Sequence, residues 1–331
     1  MSPVAFRPPY YLGVDLGGTF IKAGVVDDDG RAVSSVSRAT EVQRGPDVGQ
    51  ANLAAAAGLA LAASGLGWDA IEAVGLGAPG PMDIAGGMLH GPNNMPEWVD
   101  WPVRDRLAGA LGKPVVLQND ANAAAFGEHW VGAGRGSRSL VMFTLGTGVG
   151  CGIIEDGRIV EGRTSHGGEG GHIVIQMDGG RACTCGQSGH LEAYASATAL
   201  VERAVEAIEF AADSSLRRNL EAGTLSGKAI GEAASAGDRL AIHLMRETAR
   251  YLAVGAVSLI HVIDPDVVLF GGGMIAAGPT LLEGIRAGVR SMAFPIPAAH
   301  VRIEYAKLGG NAGFIGAAGC ARQAFRNGRV G

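Results

Sequence analysis

From Tyr10 to Val33 the chain reads YYLGVDLGGTFIKAGVVDDDGRAV, short apolar runs separated by small and polar residues. The pattern predicts a strand, a glycine turn, a second strand, a DDDG turn and a third strand. Residues 140–160, LVMFTLGTGVGCGIIEDGRIV, repeat that layout: strand, LGTGVG, strand, EDG, strand. Two meanders with turns at matching places, opening the two halves of the chain, argue for a duplicated α/β domain. Helices are predicted over 47–65, 102–111, 121–132, 190–211, 238–262, 279–292 and 312–326. Pro102 and Pro279 sit where a first helical turn tolerates proline. Short apolar strands are predicted at 72–77, 114–118 and 266–270. Strands alternating with helices imply sheets covered by helices. No linker or low-complexity segment parts the halves, so two closely joined lobes with a central cleft are expected.

Composition narrows the setting. The 331 residues suffice for two domains sharing an extensive interface, or one large one. A net charge of −5 gives no electrostatic case for nucleic acid. The only lysines are Lys22, Lys113, Lys228 and Lys307, which leaves no polybasic membrane patch. Four cysteines in a chain this long point to a reducing compartment. MSPVAFRPPYY at the N-terminus lacks the apolar core of a signal peptide. No charge occurs between Asp47 and Asp69, but this stretch is mostly Ala and Gly, broken by Gln50, Asn52 and Ser64. It reads as a packed helix ending near Gly65 and not as a membrane span. A cytoplasmic protein is expected.

Three glycine turns carry candidate chemistry. DLGGT (15–19) and LGTGVG (145–150) lie between strands at corresponding places, and FGGGM (270–274) ends a buried strand. Glycine lets backbone N–H groups approach an anion, and threonine adds a hydroxyl donor. Singly these are tight turns; together they favour a nucleotide phosphate chain. On that basis a bulky side chain at Gly148 is expected to hinder the nucleotide far more than a second substrate. No GxxxxGK[ST] occurs. GLGAPG (75–80) matches GxGxxG, but Pro79 and Pro81 interrupt the place where a pyrophosphate-binding helix would begin.

Two further clusters stand out. In VVLQNDANAAAFGEHW (115–130) a strand runs into Asn119 and Asp120 and then an alanine-rich helix. Asp120 is there either an N-cap or a general base taking a proton from an attacking hydroxyl. GGHIVIQMDGGRACTCGQSGHLE (170–192) packs Cys183 and Cys185 into three positions bracketed by His172 and His190. A metal site, a redox pair and solvent-facing histidines are the three readings. Cys151 and Cys320 have no partner in the pattern and read as small buried hydrophobes.

DLGGT, APGPMD, QNDANAAA, LGTGVG, GGEGGH, CTCGQSGHLEAYAS and FGGGM occur in the order found in the ROK family of sugar kinases and repressors, over nearly the whole chain. The resemblance implies the actin/hexokinase-like (ribonuclease H-like) fold, here as residues 1–118 plus 312–331 in a small lobe and 119–311 in a large one. It implies Mg²⁺-ATP-dependent phosphorylation of a hexose at the 6-hydroxyl, glucose foremost. N-acetylmannosamine, N-acetylglucosamine, fructose and allose are the alternatives. Asp120 then resembles the catalytic base. Asn119, Glu169, His172 and Glu192 resemble sugar ligands, as do Gly80 and Asn94. Asp15 resembles the acid near the Mg²⁺ of ATP, with Gly17, Gly18, Thr19, Thr147, Gly148, Gly271, Gly272 and Gly273 lining the nucleotide. Each sugar hydroxyl buried without a partner costs ~1–3 kcal/mol, which suits a ring of polar groups to a polyol.

The family holds a structural Zn²⁺ through one histidine and three cysteines. Here His172, Cys183 and Cys185 match, and His190 stands where the last cysteine is usual, giving a His₂Cys₂ set. Zinc would fix the loop that carries Glu169 and Glu192, so its loss is expected to abolish sugar affinity and spare the nucleotide. The family also implies a homodimer or homotetramer. Its non-catalytic regulators carry a DNA-binding domain ahead of DLGGT, and only fourteen residues precede Asp15 here. Its polyphosphate-using members generally lack the cysteine cluster.

Overall fold

The structure, a computed structural model, describes residues 6–329, so the first five residues of MSPVAFRPPYY lie outside it. The first half runs β1 (Tyr10–Leu16), β2 (Phe20–Val26), β3 (Val36–Ala39), α1 (Pro46–Ser64) and β4 (Ile71–Ala78). A small hairpin follows, β5 (Met82–Asp83) and β6 (Met88–Leu89), then α2 (Val103–Leu111), β7 (Val115–Asn119) and α3 (Asp120–Val131). The second meander is β8 (Ser139–Leu145), β9 (Val149–Glu155) and β10 (Arg158–Ile159). Five helices come next: α4 (Glu192–Ala195), α5 (Ala197–Ile208), α6 (Leu216–Glu221), α7 (Gly227–Ser235) and α8 (Arg239–Ile263). The chain closes with β11 (Val267–Gly271), α9 (Pro279–Met292), α10 (Pro295–His300), β12 (Arg302–Tyr305) and α11 (Ala312–Arg326).

The duplication is exact in strand order. One sheet is ordered β3-β2-β1-β4-β7 and the other β10-β9-β8-β11-β12. In the first, β1 pairs antiparallel with β2 and parallel with β4, which is parallel to β7. In the second, β11 lies parallel to both β8 and β12. This is the α/β fold expected from the repeated meander.

Local differences from the sequence pattern have local causes. The third strand of the first meander is Val36–Ala39, not residues 31–33. Asp27 Oδ1 accepts the Asp29 and Arg31 N–H groups at 3.1 and 2.8 Å, extending the DDDG turn, and Ala32 makes only an isolated bridge to Val26. The helix predicted over 190–211 breaks at Ser196, which is extended (φ −70°, ψ 163°) and caps α5 by accepting the Ala199 N–H at 3.1 Å. β12 is short, charged and half exposed, so no apolar run announced it. The uncharged stretch after Asp47 is α1, ending at Gly65 in the left-handed region, with Leu53, Ala56, Ala57 and Ala60 fully buried. No described helix is long and apolar enough to cross a membrane.

Contacts divide the chain into a first unit of residues up to Gly136, Gly152–Gly168 and from Leu308 on, and a second unit of Ser137–Cys151 and Glu169–Lys307. The family resemblance implied lobes of residues 1–118 plus 312–331 and 119–311. Helix α3 instead belongs with the first unit, because α3 and α11 meet backbone to backbone. A Cβ on Gly316 would lie 1.6 Å from the Ala123 carbonyl oxygen, and one on Gly127 would lie 2.9 Å from that of Ala312. The other face of α11 lies equally close to the sheet. A Cβ on Gly13 of β1 or Gly75 of β4 would sit 1.8 Å from the Phe314 or Ala317 oxygen. Alternate residues of β1, Leu12, Val14 and Leu16, point the other way into a core shared with α1. Gly75 of GLGAPG therefore serves packing, and β4 leads into the β5–β6 hairpin without a helix. In the second unit, Phe143 of β8 and Phe270 of β11 stack at 5.4 Å between ring centroids.

Gly316→Ala should destabilise the protein by about 3 kcal/mol or more, since rigid backbone must move to admit the methyl group. Gly58→Ala, in α1 with nothing within 4 Å of the added carbon, should instead stabilise by up to ~1 kcal/mol. Urea denaturation of the two variants beside the parent checks both signs.

Candidate functional site

In the first unit the DLGGT turn is closed by the Gly17 N–H donating to the Phe20 oxygen at 3.1 Å. Thr40 clamps it from outside: its hydroxyl donates to the Gly17 oxygen at 2.6 Å and its N–H to the Thr19 oxygen at 2.9 Å. The Gly18 and Thr19 N–H groups and the Thr19 hydroxyl remain as donors. Asn94 lies against this turn, its Nδ2 2.9 Å from where a Gly18 Cβ would be. Asp15 sits at the end of β1 opposite Lys22 of β2, beside the start of α11, where a Cβ on Gly313 would be 2.2 Å from its Oδ2. Burial pushes its carboxyl up from 3.8 to about 6, partly opposed by Lys22.

Asn119 and Asp120 occupy the junction of β7 and α3. The N-cap is Asn119: its Oδ1 accepts the Ala121 and Asn122 N–H groups at 3.0 and 3.1 Å. Asp120 is the first residue of the helix, with Oδ1 2.8 Å from the Ala121 nitrogen. With its oxygen committed, Asn119 presents its Nδ2 donor, which lies 3.9 Å from where a Gly80 side chain would start. Behind this pair is a network that motif reading passed over. Gln118 Oε1 accepts the Asn119 N–H at 2.8 Å and Asn122 Nδ2 at 3.2 Å, while Gln118 Nε2 donates to Glu161 at 2.7 Å. Its signal was present: two amides, now 3% and 1% exposed, beside an apolar strand.

In the second unit the LGTGVG turn is closed in a similar way, Gly146 N–H to Gly148 oxygen at 3.0 Å. The segment from Glu192 to Thr198 buttresses it. The Ala197 N–H and Thr198 hydroxyl donate to the Gly146 and Thr147 oxygens, both at 2.9 Å. Glu192 Oε2 accepts the Val149 N–H at 2.9 Å and would lie 2.3 Å from a Cβ on Gly148. A side chain at 148 therefore strikes Glu192 and does not act on a nucleotide alone. The three glycines after β11 differ among themselves. Gly271 is packed against Met142 and Ala306, and Gly272, at φ +86°, against the Leu145 backbone; only Gly273 opens onto free space.

His172, Cys183, Cys185 and His190 converge, with one ligand atom from each lying within 4.8 Å of all the others. The two Nδ1 atoms are 3.4 Å apart, Cys183 Sγ is 3.7 Å from His172 Nδ1, and Cys185 Sγ is 3.2 Å from His190 Nδ1. Bonds of about 2.0–2.3 Å around tetrahedral zinc put neighbouring ligand atoms about 3.3–3.8 Å apart, so these separations fit the edges of one tetrahedron. The other ring nitrogen of His172 points toward Glu169, with Nε2 3.9 Å from Oε2. Burial pushes the Cys183 thiol up to about 11. Cys151 and Cys320 are buried, as expected of structural thiols.

Comparison with known proteins places this geometry. The sequence profile of the ROK family matches residues 11–324. The glucokinase of Thermotoga maritima is 37% identical over 93% of this chain and 95% of its own length. That of Halalkalibacterium halodurans is 36% identical, covering 93% of each chain. The crystal structure of a ROK family glucokinase from Streptomyces griseus in complex with glucose and AMPPNP superposes with a TM-score of 0.80. It shares 36% identity and the match covers 95% of this chain and 99% of that one.

The raised Asp15 carboxyl makes a pH-dependent prediction. Between 3.8 and about 6 the folded protein keeps a proton that the unfolded chain releases, so stability falls as pH rises through that window. Above it the buried charge costs on the order of 3 kcal/mol. Asp15→Asn should remove this cost, raising stability at pH 8 and leaving it unchanged near pH 4. Denaturant midpoints at the two pH values test the difference.

Proposed function

The chain belongs to the ROK family, and from that membership we propose that it is an ATP-dependent hexose kinase that converts glucose to glucose 6-phosphate. The observation that carries the site assignment is the division of labour at the β7–α3 junction: Asn119 caps the helix, so the neighbouring carboxylate of Asp120 is not needed as a cap. Asp120 takes the proton of the attacking 6-hydroxyl, a role for which a carboxylate fixed at a rigid strand end is suited. Gln118 and Asn122 hold that end in place. Asn119, through Nδ2, and Asn94 donate to sugar oxygens, and Gly80 leaves room for the ring. Glu169, His172 and Glu192 supply further sugar contacts.

The Gly18, Thr19, Thr147 and Gly148 N–H groups and the two threonine hydroxyls meet phosphate oxygens. Asp15 would hold the Mg²⁺ that accompanies ATP, which would supply charge neutralisation at the transferred group. With four lysines in the chain, backbone donors share that task. The reaction then depends on positioning more than on covalent chemistry. A structural zinc, held by His172, Cys183, Cys185 and His190, would supply rigidity to the loop and no Lewis acidity to the reaction. Ligation at Nδ1 would fix the His172 tautomer and leave its Nε2–H as a donor. The family further suggests a homodimer or homotetramer, and the four free cysteines accord with a reducing compartment.

Asp120→Asn should keep sugar binding and lower kcat by about 10²-fold or more. ADP release over a panel of hexoses, with sugar affinity measured calorimetrically, tests this; near-normal kcat in a folded variant would remove Asp120 as the base.

Elemental analysis of purified protein should find one zinc per chain, and Cys183→Ser should lose it. Zinc-free active enzyme would contradict the scaffold. Because Glu192 reaches from this loop to Val149, metal loss should weaken ATP binding as well as sugar binding, unlike the separation that linear motif spacing suggested.

A further inference from the structure

Thr184 sits exposed between the two clustered cysteines, at the variable position of CxC, and no motif assigns it a task. Its hydroxyl donates to Glu192 Oε1 at 2.7 Å. The other oxygen of the same carboxylate accepts the Val149 N–H at 2.9 Å. Cys183 Sγ, 3.6 Å from Oε1, is a longer and weaker second neighbour. We propose that Thr184 is a positioning residue: it fixes the rotation of the Glu192 carboxylate, and through it braces the LGTGVG turn.

A glutamate side chain has three rotatable torsions, and its terminal one is broad when nothing holds it. Glu192 begins α4, so its backbone is set by the helix, and its far end is set by what the two oxygens touch. One oxygen held at Val149 leaves the carboxylate able to turn about that contact; a second hydrogen bond on the opposite oxygen removes that freedom. The tolerance is small, because Oε2 lies against Gly148, where even a methyl group would overlap it. On its far side the turn is already tied at Gly146 and Thr147 by Ala197 and Thr198. Glu192 is the matching tie at Val149, and Thr184 is what keeps it there. The loop that carries the metal ligands is thereby joined to the turn that offers Thr147 and Gly148 through one carboxylate, whose two oxygens face the two elements.

The effect on catalysis rests on the kinase reading above, but the brace itself has a readout independent of it. Thr184→Val keeps the shape and removes the donor; Thr184→Ser keeps the donor. In Thr184→Val, hydrogen exchange at the Val149 amide should accelerate by about 5-fold or more, as a protecting acceptor becomes mobile. KM for ATP and for glucose should both rise, by roughly 3–10-fold, the range expected for the net worth of one intramolecular hydrogen bond. Zinc content should not change, and Thr184→Ser should stay within about 2-fold of the parent in every measure. Unaltered Val149 exchange in Thr184→Val, or a serine variant as disturbed as the valine one, overturns the proposal. A parent protein that phosphorylates no hexose would instead overturn the kinase reading, and the exchange comparison would still decide the role of Thr184.

Discussion

Backbone laid directly on backbone is the constraint on which the first unit depends. Helix α11 has no side-chain layer between it and β1 or β4 at Gly13 and Gly75, and none between it and α3 at Gly127 and Gly316. Such contacts admit no added atom, so the helix has one position and not a range of them. Two consequences reach the proposed chemistry. The start of α11 comes down on Asp15 with room for a carboxylate only because residue 313 is glycine, and that closeness is what desolvates the acid. Helix α3, pinned at its middle, has its first turn fixed where Asn119 and Asp120 leave β7. A rigid frame of this kind is what a positioned base requires, since catalysis by proximity is lost with displacements of an ångström.

The two halves share more than strand order. In each, one N–H closes the glycine turn, Gly17 to Phe20 and Gly146 to Gly148, and the following two residues keep their N–H groups for a ligand. The external clamps differ. The first turn is held by Thr40, a single residue reaching across from the end of β3. The second is held by a separate stretch, Glu192 to Thr198, that follows the cysteine cluster. The duplicated part of the fold thus fixes where the proposed phosphate donors lie. The unduplicated insertion decides how firmly the second set is held, which would give the loop a stake in the proposed nucleotide binding.

Much of this was legible in the chain, for reasons that differ by element. The meanders were clear because glycine and acidic turns interrupt apolar runs at matching positions, and the longer helices were bounded within a residue or two by Pro279, Gly65 and Gly112. The residue types of the metal cluster and the Asn119–Asp120 pair were equally plain. What escaped was set by tertiary contact. Glu192 reads in the sequence only as a sugar acid, and its second tie, to Val149 forty-three residues away, shows only in the fold. Gly271 and Gly272 look like a ligand cradle, yet their space is filled by Met142, Ala306 and Leu145. Contacts group α3 with α11 in the first unit through Gly127 and Gly316, glycines whose packing role leaves no mark in the linear sequence.

The cysteine–histidine loop has little of the burial that holds other loops, and the proposed zinc would answer that lack. Of residues 173–190, Cys183 and Gly189 alone are buried, and Val174 and Met177 are 54% and 89% exposed. The small apolar cluster beneath it, Cys183 with Ala193, Tyr194, Ile175 and Tyr251, buries little surface, and hydrophobic stabilisation scales with area at roughly 25 cal/mol per Å². Backbone bridges from Val174 to His190 and Ala182 to Ser188 shape the loop, but exposed hydrogen bonds alone fix such a segment weakly. Four ligand atoms closing on one ion would supply what burial does not. The ligand set would also suit its neighbours. Two thiolates and two neutral imidazoles would cancel the charge of Zn²⁺, whereas three thiolates would leave an anion beside Glu169 and Glu192. With histidine at 190, those two acids would have a neutral centre at their backs, and their charge would be directed to the ligands they are proposed to hold.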